Sequence, residues 1–531
     1  MVDELFFRTE DIRRDEVLDY LVETSADREV VEHLKGRSPI VLRGSRGVGK
    51  SFLLRVAEVE LLQNIDRNRV LPVYITFARA SLIKDPTPER FLAWMMAKIC
   101  NQIVRTATAN GYVLPSGSSV ISLAGGPGES SKLEAIERQL EDSWKSTSVD
   151  HGSNLNQYTD PDMIKMGVED LCETANLTRI VLLVDEAAHV FIPEQQRQFF
   201  TLMRDLRSPY LAIKAAVYPG ATAFGDFFQP SHDSTLLSID RNVMDEQYTS
   251  SMREIVFKQD LSLRKAVETN GDVFDTLAYA STGNPRILLK TFDRSRPFAR
   301  RRAQDTIREY YREEIWAEHS SLAERYPGHR DLIDWGRRFL ESDVLPELYS
   351  RNQGRTKETS SAIWIHRDAP QAVREALRLL CYGGILQEGV SGIRATRSEV
   401  GTRYMVNLGC QFALDRDPVS YGSNLRRTLS IKRMIEFGAN HRSFQSIKRF
   451  AVDQLSSGTN LALEARLDAD SSTLDLTDFQ MEKIRELKLR TIRDVLAADE
   501  GRFMKARWVG EKRARRMMNA AVAAVLEYLS G

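Results

Sequence analysis

Gly44-Ser45-Arg46-Gly47-Val48-Gly49-Lys50-Ser51 is the stretch on which the reading of this 531-residue chain turns. It fits the spacing G-x-x-x-x-G-K-[ST] without a departure. A short apolar run, "SPIVLRG", leads into it. "SFLLRVAEVELLQNI" follows with apolar residues at helical spacing, so the unit reads strand, glycine-rich loop, helix. Consecutive backbone N–H groups of such a loop face an anion, and their oriented dipoles hold phosphate oxygens. Lys50 adds a point charge on the β- and γ-phosphates, and Ser51 offers a hydroxyl to Mg2+. All eight residues from Gly44 to Ser51 are candidate nucleotide-binding residues.

Three further apolar runs extend the pattern: "VLPVYITFA" (Val70 to Ala78), "RIVLLVDEA" and "LAIKAAVYPG", with helical segments between them. Strands alternating with helices predict a parallel α/β sheet. In "RIVLLVDE" (Arg179 to Glu186), five apolar residues deliver two carboxylates to the C-terminal end of a strand, where ligands bind in open α/β sheets. Asp185 suits Mg2+ through its water shell, and Glu186 is placed to polarise an attacking water. Loop and acidic pair together imply hydrolysis of a nucleoside triphosphate, with ATP and Mg2+ as the expected cofactors and Lys50 and Glu186 as catalytic groups.

Beyond about residue 255 the strands stop and helical patterns take over, and there "STGNPRILLK" (Ser281 to Lys290) stands out. Gly283-Asn284-Pro285-Arg286 resembles the sensor-2 motif in the lid of AAA+ ATPases of the origin-recognition type and their STAND-class relatives. The resemblance covers about residues 37 to 300. It implies that a lid helix brings Arg286 onto the γ-phosphate as a third catalytic group, a role suited to a planar, permanently charged guanidinium. A helix entry followed by a surface arginine accounts for the same letters. Where many such proteins place a small polar sensor 1, this chain has Tyr218, with Thr222 after it. Arg204 and Arg207 are candidates for an arginine finger acting in trans, which would require self-association; basic residues also favour a helix C-terminus for its own sake. His189, after the acidic pair, reads as a packing or orienting residue.

The expected fold class is an α/β P-loop NTPase core with a parallel sheet, a helical lid, a winged helix drawn from a weaker pattern, and an all-α helix-hairpin-helix C-terminal domain. The expected boundaries are a helical lead-in over 1–36, the core over 37–250 with a flexible insertion near 114–160, and the lid over 251–325. A winged-helix segment over 326–420, a helical linker over 421–470 and the terminal domain over 471–531 follow. The winged helix rests on "APQAVREALRLLCYGG" followed by two alternating runs, "ILQEGVSGIRATR" and "RYMVNLGCQFAL". His366 and Asp368 read as surface polar residues.

The C-terminal end decides the partner. "FQMEKIRELKLRTIRDVLAAD" reads as a helix, a turn at Lys488-Leu489-Arg490, and a second helix capped by Thr491; "GRFMKARWVGEKRARRMMNAAVAAVLEYL" repeats the scheme around Val509-Gly510. The first is similar to the C-terminal domain of bacterial RNA polymerase α subunits, the second to the hairpins of DNA repair nucleases and ligases. That resemblance implies that Gly510 lets the backbone approach a DNA phosphate, with Lys512 and Arg513 completing the contact and Arg507 and Arg516 flanking it. From Gly501 onward seven basic residues stand against two acidic ones, an excess that supports salt-sensitive duplex binding. Another basic run, Lys290 to Gln304, has six basic residues against one acid and reads either as a DNA contact or as a solvated face.

Composition narrows the classes. Lys plus Arg (74) equals Asp plus Glu (74), so any electrostatic case for nucleic acid is local. Four cysteines without a C-x-x-C pair argue against a zinc site or a disulfide framework. The acidic opening "MVDELFFRTEDIRRDEV" and the lack of an 18-residue apolar run predict a cytoplasmic protein with no membrane association. The resemblance to the AAA+ and STAND ATPases implies two functions: an ATP-driven switch that couples nucleotide state to DNA binding, in DNA transactions or bacterial antiviral defence, or a STAND-type signalling ATPase or scaffold that docks a protein partner and leaves DNA alone. A third arrangement sets an effector encoded elsewhere under the control of this ATPase.

Overall fold

The computed structural model describes residues 5–78, 88–114, 132–142, 160–187, 193–220, 222–225, 227–395, 398–448 and 461–526. His189 and most of the insertion expected near 114–160 lie outside them. Two compact units result: Met1–Tyr218 with Thr222–Asp240 and Ser250–Leu263, and Pro219–Ala221 with Arg241–Thr249 and Arg264–Gly531.

The first unit runs α1 (Ser25–Lys35), β1 (Ile40–Arg43), α2 (Lys50–Gln63), β2 (Val70–Thr76), α3 (Pro88–Ala109), α4 (Lys132–Glu141) and α5 (Pro161–Thr174). It continues with β3 (Arg179–Asp185), α6 (Pro193–Asp205), β4 (Leu211–Val217) and β5 (Thr235–Ser238). The five strands form one sheet in the order β2-β3-β4-β1-β5, parallel at every pairing. The predicted parallel α/β sheet is therefore present. Side chains alternate across each strand, and both faces are covered. Ile180, Leu182 and Val184 join a core with α3, α5 and α6, whereas Val181 and Leu183 join another with α1 and α2.

Two details differ from the sequence reading. The second strand ends at Thr76, two residues short of Ala78, and it carries Pro72, which an edge position tolerates because a proline has no N–H to give a ladder. β5 has no counterpart among the predicted strands. It is the opposite edge, only four residues long and mostly exposed, so it lacks the apolar run that marks a buried strand.

The second unit begins with helices, including α7 (Gly271–Ala280), α8 (Pro285–Arg294) and α9 (Arg300–Glu309). It then builds a four-stranded sheet from β6 (Ala362–His366), β7 (Leu386–Arg394), β8 (Val400–Val406) and β9 (Ile435–Phe437) in the order β7-β8-β6-β9. α10 (Gln371–Tyr382) links β6 to the antiparallel β7–β8 ribbon. The run "RYMVNLGCQFAL" is not one strand. β8 stops at Val406, and Asn407 accepts from Gly409 N to cap the short helix α11 (Leu408–Phe412). His366 is buried at the end of β6, where Nδ1 accepts from Asp368 N at 2.9 Å; the surface reading of it was wrong.

After α12 (Pro418–Thr428), the chain closes with α13 (Asp478–Glu486), α14 (Ile492–Ala497), α15 (Glu500–Phe503) and α16 (Glu511–Leu526). Thr491 caps α14 in a reciprocal box with Asp494, and Lys488 and Trp508 take the left-handed backbone at the two turns. The basic run 290–304 is largely spent inside the unit. Lys290 pairs with Glu318, Arg294 with Glu314, Arg296 with Asp293 and Arg300 with Asp417. No helix among the described residues is long and apolar enough to cross a membrane.

Candidate functional site

β1 ends in the glycine loop and α2 starts at Lys50, with Gly49 at its N-cap. Gly47 and Gly49 have φ of 89° and 109°, in the left-handed region where a side chain is strained. Gly44 is required by crowding: a Cβ there would lie 2.6 Å from Val48 Cγ2 and 2.8 Å from Ile239 Cγ1. The backbone N–H groups of Ser45, Gly47, Gly49 and Ser51 donate to no group among the described residues. They lie at the positive end of a 14-residue helix, which makes the loop a set of donors suited to an anion.

Lys50 is buried, and its Nζ donates to Gly44 O at 2.6 Å and Ser45 O at 3.0 Å. The ammonium also lies 3.9 Å from the ring centroid of Tyr218, a cation–π contact made possible because β4, which delivers Tyr218, is the neighbour of β1. Thr222 Oγ1 donates to Tyr218 O at 2.8 Å and fixes the turn after β4. The position that the resemblance marks for a small polar sensor thus holds an aromatic face under the loop lysine.

β3 delivers the acidic pair. Asp185 is buried; its Oδ2 accepts from Tyr74 Oη at 2.6 Å and its Oδ1 from Glu186 N at 2.9 Å. Arg55 on α2 stacks its guanidinium 3.3 Å from the centre of the Tyr74 ring, so the helix that starts at the loop also braces the tyrosine that holds Asp185. Glu186 sits in left-handed backbone (φ 55°). Thr76 Oγ1, at the end of β2, approaches its Oε2 at 3.5 Å. Burial first, then the charge of Asp185, pushes the Glu186 carboxyl above its usual range.

Mg2+ takes hard oxygen ligands and keeps several waters. A serine hydroxyl at the second position of α2 and a carboxylate whose two oxygens retain lone pairs fit that chemistry. Sequence alone points to Asp185 and Ser51 but not to Tyr74 or Arg55. The signal for Tyr74 is its polar tip inside an otherwise apolar strand, which demands a partner.

Arg286 belongs to the second unit. Asn284 caps α8 by accepting from Ile287 N at 3.3 Å, Pro285 is its first residue, and Arg286, half-buried, follows close enough to Tyr310 to act on it electrostatically. Thr282 and Gly283 precede them in left-handed backbone. Of the finger candidates, Arg204 is engaged with Asp205 and with Phe227 O, whereas Arg207 is exposed and pairs with no carboxylate among the described residues.

At the C-terminal end, Arg507, Gly510, Lys512, Arg513 and Arg516 gather around the second turn and are all exposed. Arg513 donates to Trp508 O at 2.5 Å and lies 4.9 Å from the Phe479 ring, while Arg507 stacks at 5.3 Å on Trp508. Arg515 differs from its neighbours. It is buried, with Nε 3.0 Å from Glu500 Oε1, and serves the packing of α15 on α16.

Fold and loop together are those of an α/β P-loop core. No family model matches the chain, and no curated protein matches its sequence. Among solved structures, the ORC1 protein of Aeropyrum pernix, determined in complex with DNA, is similar at 16% identity with a TM-score of 0.34, over 76% of this chain and 95% of that one. A Walker-type ATPase of Pyrococcus abyssi is similar at 14% identity with a TM-score of 0.36, over 80% of this chain and 98% of that one. What the chain does is therefore read from its own site.

Proposed function

We propose that this protein binds and hydrolyses ATP and uses the nucleotide state to switch the placement of a DNA-binding C-terminal domain. The reading is carried by the loop from Gly44 to Ser51, with the N–H donors of Ser45, Gly47, Gly49 and Ser51 engaged by no group among the described residues and with its buried lysine, at the end of a strand in the same sheet as the one that delivers the carboxylates of Asp185 and Glu186. The N–H groups cradle the phosphates, and Lys50 exchanges its two carbonyl acceptors for phosphate oxygens. Ser51 and Asp185 hold Mg2+, which supplies charge neutralisation on the phosphates when bound. Glu186 orients the attacking water and accepts its proton. Arg286, at the head of α8, is the lid residue that reports the γ-phosphate, and Arg207 is the finger to test in a self-associated form. Lys50→Ala is expected to abolish binding of a fluorescent ATP analogue; retained binding sinks the reading.

On the output side, the β6–α10–β7–β8 segment serves as the winged helix and the two terminal turns as tandem helix-hairpin-helix motifs. The exposed turn around Gly510, with Arg507, Lys512, Arg513 and Arg516, supports contact with duplex phosphates. Lys512→Glu combined with Arg513→Glu should eliminate duplex binding at moderate salt. A second reading, docking of a protein partner, is favoured by Trp508, whose side chain is 69% exposed at the tip of that turn. Duplex binding that survives the double change selects it.

A further inference from the structure

A cavity of about 350 Å³ lies between the first turn of α10 and the first three turns of α16, beside the hairpin turn. Five cations line it: Arg367 and Arg374 from the sheet module, Lys512, Arg515 and Arg516 from the terminal helix. Only two carboxylates, Asp368 and Asp475, share the lining. Arg515 is neutralised by Glu500, and Arg367 lies 4.0 Å from Asp368. Arg374, Lys512 and Arg516 have no carboxylate within salt-bridge distance among the described residues. Arg374 Nε is moreover buried without a hydrogen-bond partner, and burial, outweighing the pull of Tyr404, Asp368 and Glu375, lowers the pKa of this guanidinium. The two sides are tied together: Asn519 Oδ1 accepts from Gln371 N at 3.0 Å, so the cavity is built by both modules at once.

Unpaired guanidinium and ammonium groups converging on a concave wall repel one another, and an anion relieves that cost. Arginine forks match the oxygens of a phosphate group in particular. We propose that this cavity is a phosphate site that grips the backbone of the duplex held at the Gly510 turn, so that the sheet module and the terminal hairpin clamp DNA together. Continuity of surface favours backbone phosphate over a free one, since Lys512 and Arg516 line the cavity and also belong to the exposed basic turn. The proposal rests on the reading of the hairpin as a DNA contact.

The test is fluorescence anisotropy of a labelled duplex with the full chain over a series of KCl concentrations. Arg374→Met keeps the apolar stem and removes the charge; Arg516→Gln, on the exposed face, guards against misfolding of the first, and circular dichroism melting checks both. Each is expected to weaken binding about tenfold and to lower the slope of log K against log [KCl] by about one. Wild-type affinity and slope in both variants, with binding lost in the Lys512→Glu, Arg513→Glu chain, overturn the cavity and leave the hairpin reading standing. If the chain binds no duplex but binds pyrophosphate in an Arg374-dependent way by calorimetry, the phosphate site stands with a free ligand and the hairpin reading falls. Binding of neither overturns the site altogether.

Discussion

The hydroxyl of Tyr74 donates a 2.6 Å hydrogen bond to Oδ2 of Asp185, joining the edge strand to the carboxylate at the end of its neighbour. Glu186 N occupies the other oxygen, so the orientation of Asp185 is fixed from two sides before any cation arrives. Tyr74→Phe removes a hydrogen bond to a charged group, worth about 1.5–3 kcal/mol. The expected result is a rise in the Mg2+ concentration needed for half-maximal hydrolysis and a fall in rate of about tenfold, with nucleotide binding in the presence of a chelator unchanged. A wild-type Mg2+ titration would show that the tyrosine only fills space.

Glu186→Gln is expected to slow hydrolysis by about 10²–10⁴-fold while nucleotide binding persists. Because burial and Asp185 raise its pKa, the wild-type rate should climb with pH through an inflection above the ordinary glutamate range. The same shift acts on stability. A carboxyl whose folded pKa is raised contributes stability that is intact below its unfolded pKa and lost as pH rises through the folded one. Glu186→Gln should therefore raise Tm at pH 7 and not at pH 4, measurable by calorimetry at the two pH values.

Lys214 is a buried cation in the middle of β4, its Nζ donating to His33 O at 3.4 Å and to Ser38 O. Burial, reinforced by Arg179, brings its pKa down to about 7. Between that value and the ordinary lysine range the unfolded chain holds a proton that the folded chain lacks, so stability rises with pH across this window and is lost as pH falls toward 7. The slope is at most about 1.4 kcal/mol per pH unit. Lys214→Met should flatten it in urea denaturation between pH 7 and 9; an unchanged slope assigns the effect elsewhere.

Arg515 and Gly510 should separate stability from binding at the terminal turn. Arg515→Met leaves Glu500 and Asn440 without their buried partner and is expected to cost about 3 kcal/mol. Gly510 does not have positive φ, and no atom lies within 4 Å of where a Cβ would stand, so Gly510→Ala should change stability by no more than about 1 kcal/mol. Under the DNA reading it nevertheless weakens duplex binding, because the methyl group blocks the approach of a phosphate. Thermal melts and anisotropy on the same two variants check both halves.

Much of this was legible in the sequence because the signals are local. The loop from Gly44 to Ser51, the apolar runs of β2, β3 and β4, and the caps Asn284 and Thr491 depend on residues a few positions apart. β5 and β9 were not legible: each is only three or four residues long and gains its identity from the strand beside it. His366 looked like a surface residue because nothing nearby in sequence announces that all five positions of β6 are buried.

What the sequence determined by itself is the chemistry on offer: donors and a lysine for phosphate, two carboxylates at a strand end, and a basic turn near the C-terminus. Tertiary structure alone decided how those groups are held. Strand order places Tyr218 under Lys50 and Tyr74 on Asp185, and the packing of α16 on the sheet module sorts seemingly equivalent arginines, burying Arg515 in an ion pair while Arg516 joins Arg374 at an unneutralised cavity. The physical reason is that burial and pairing set the energy of a charge, and both depend on packed neighbours, which for Asp185 and for the cavity wall come from more than a hundred residues away along the chain.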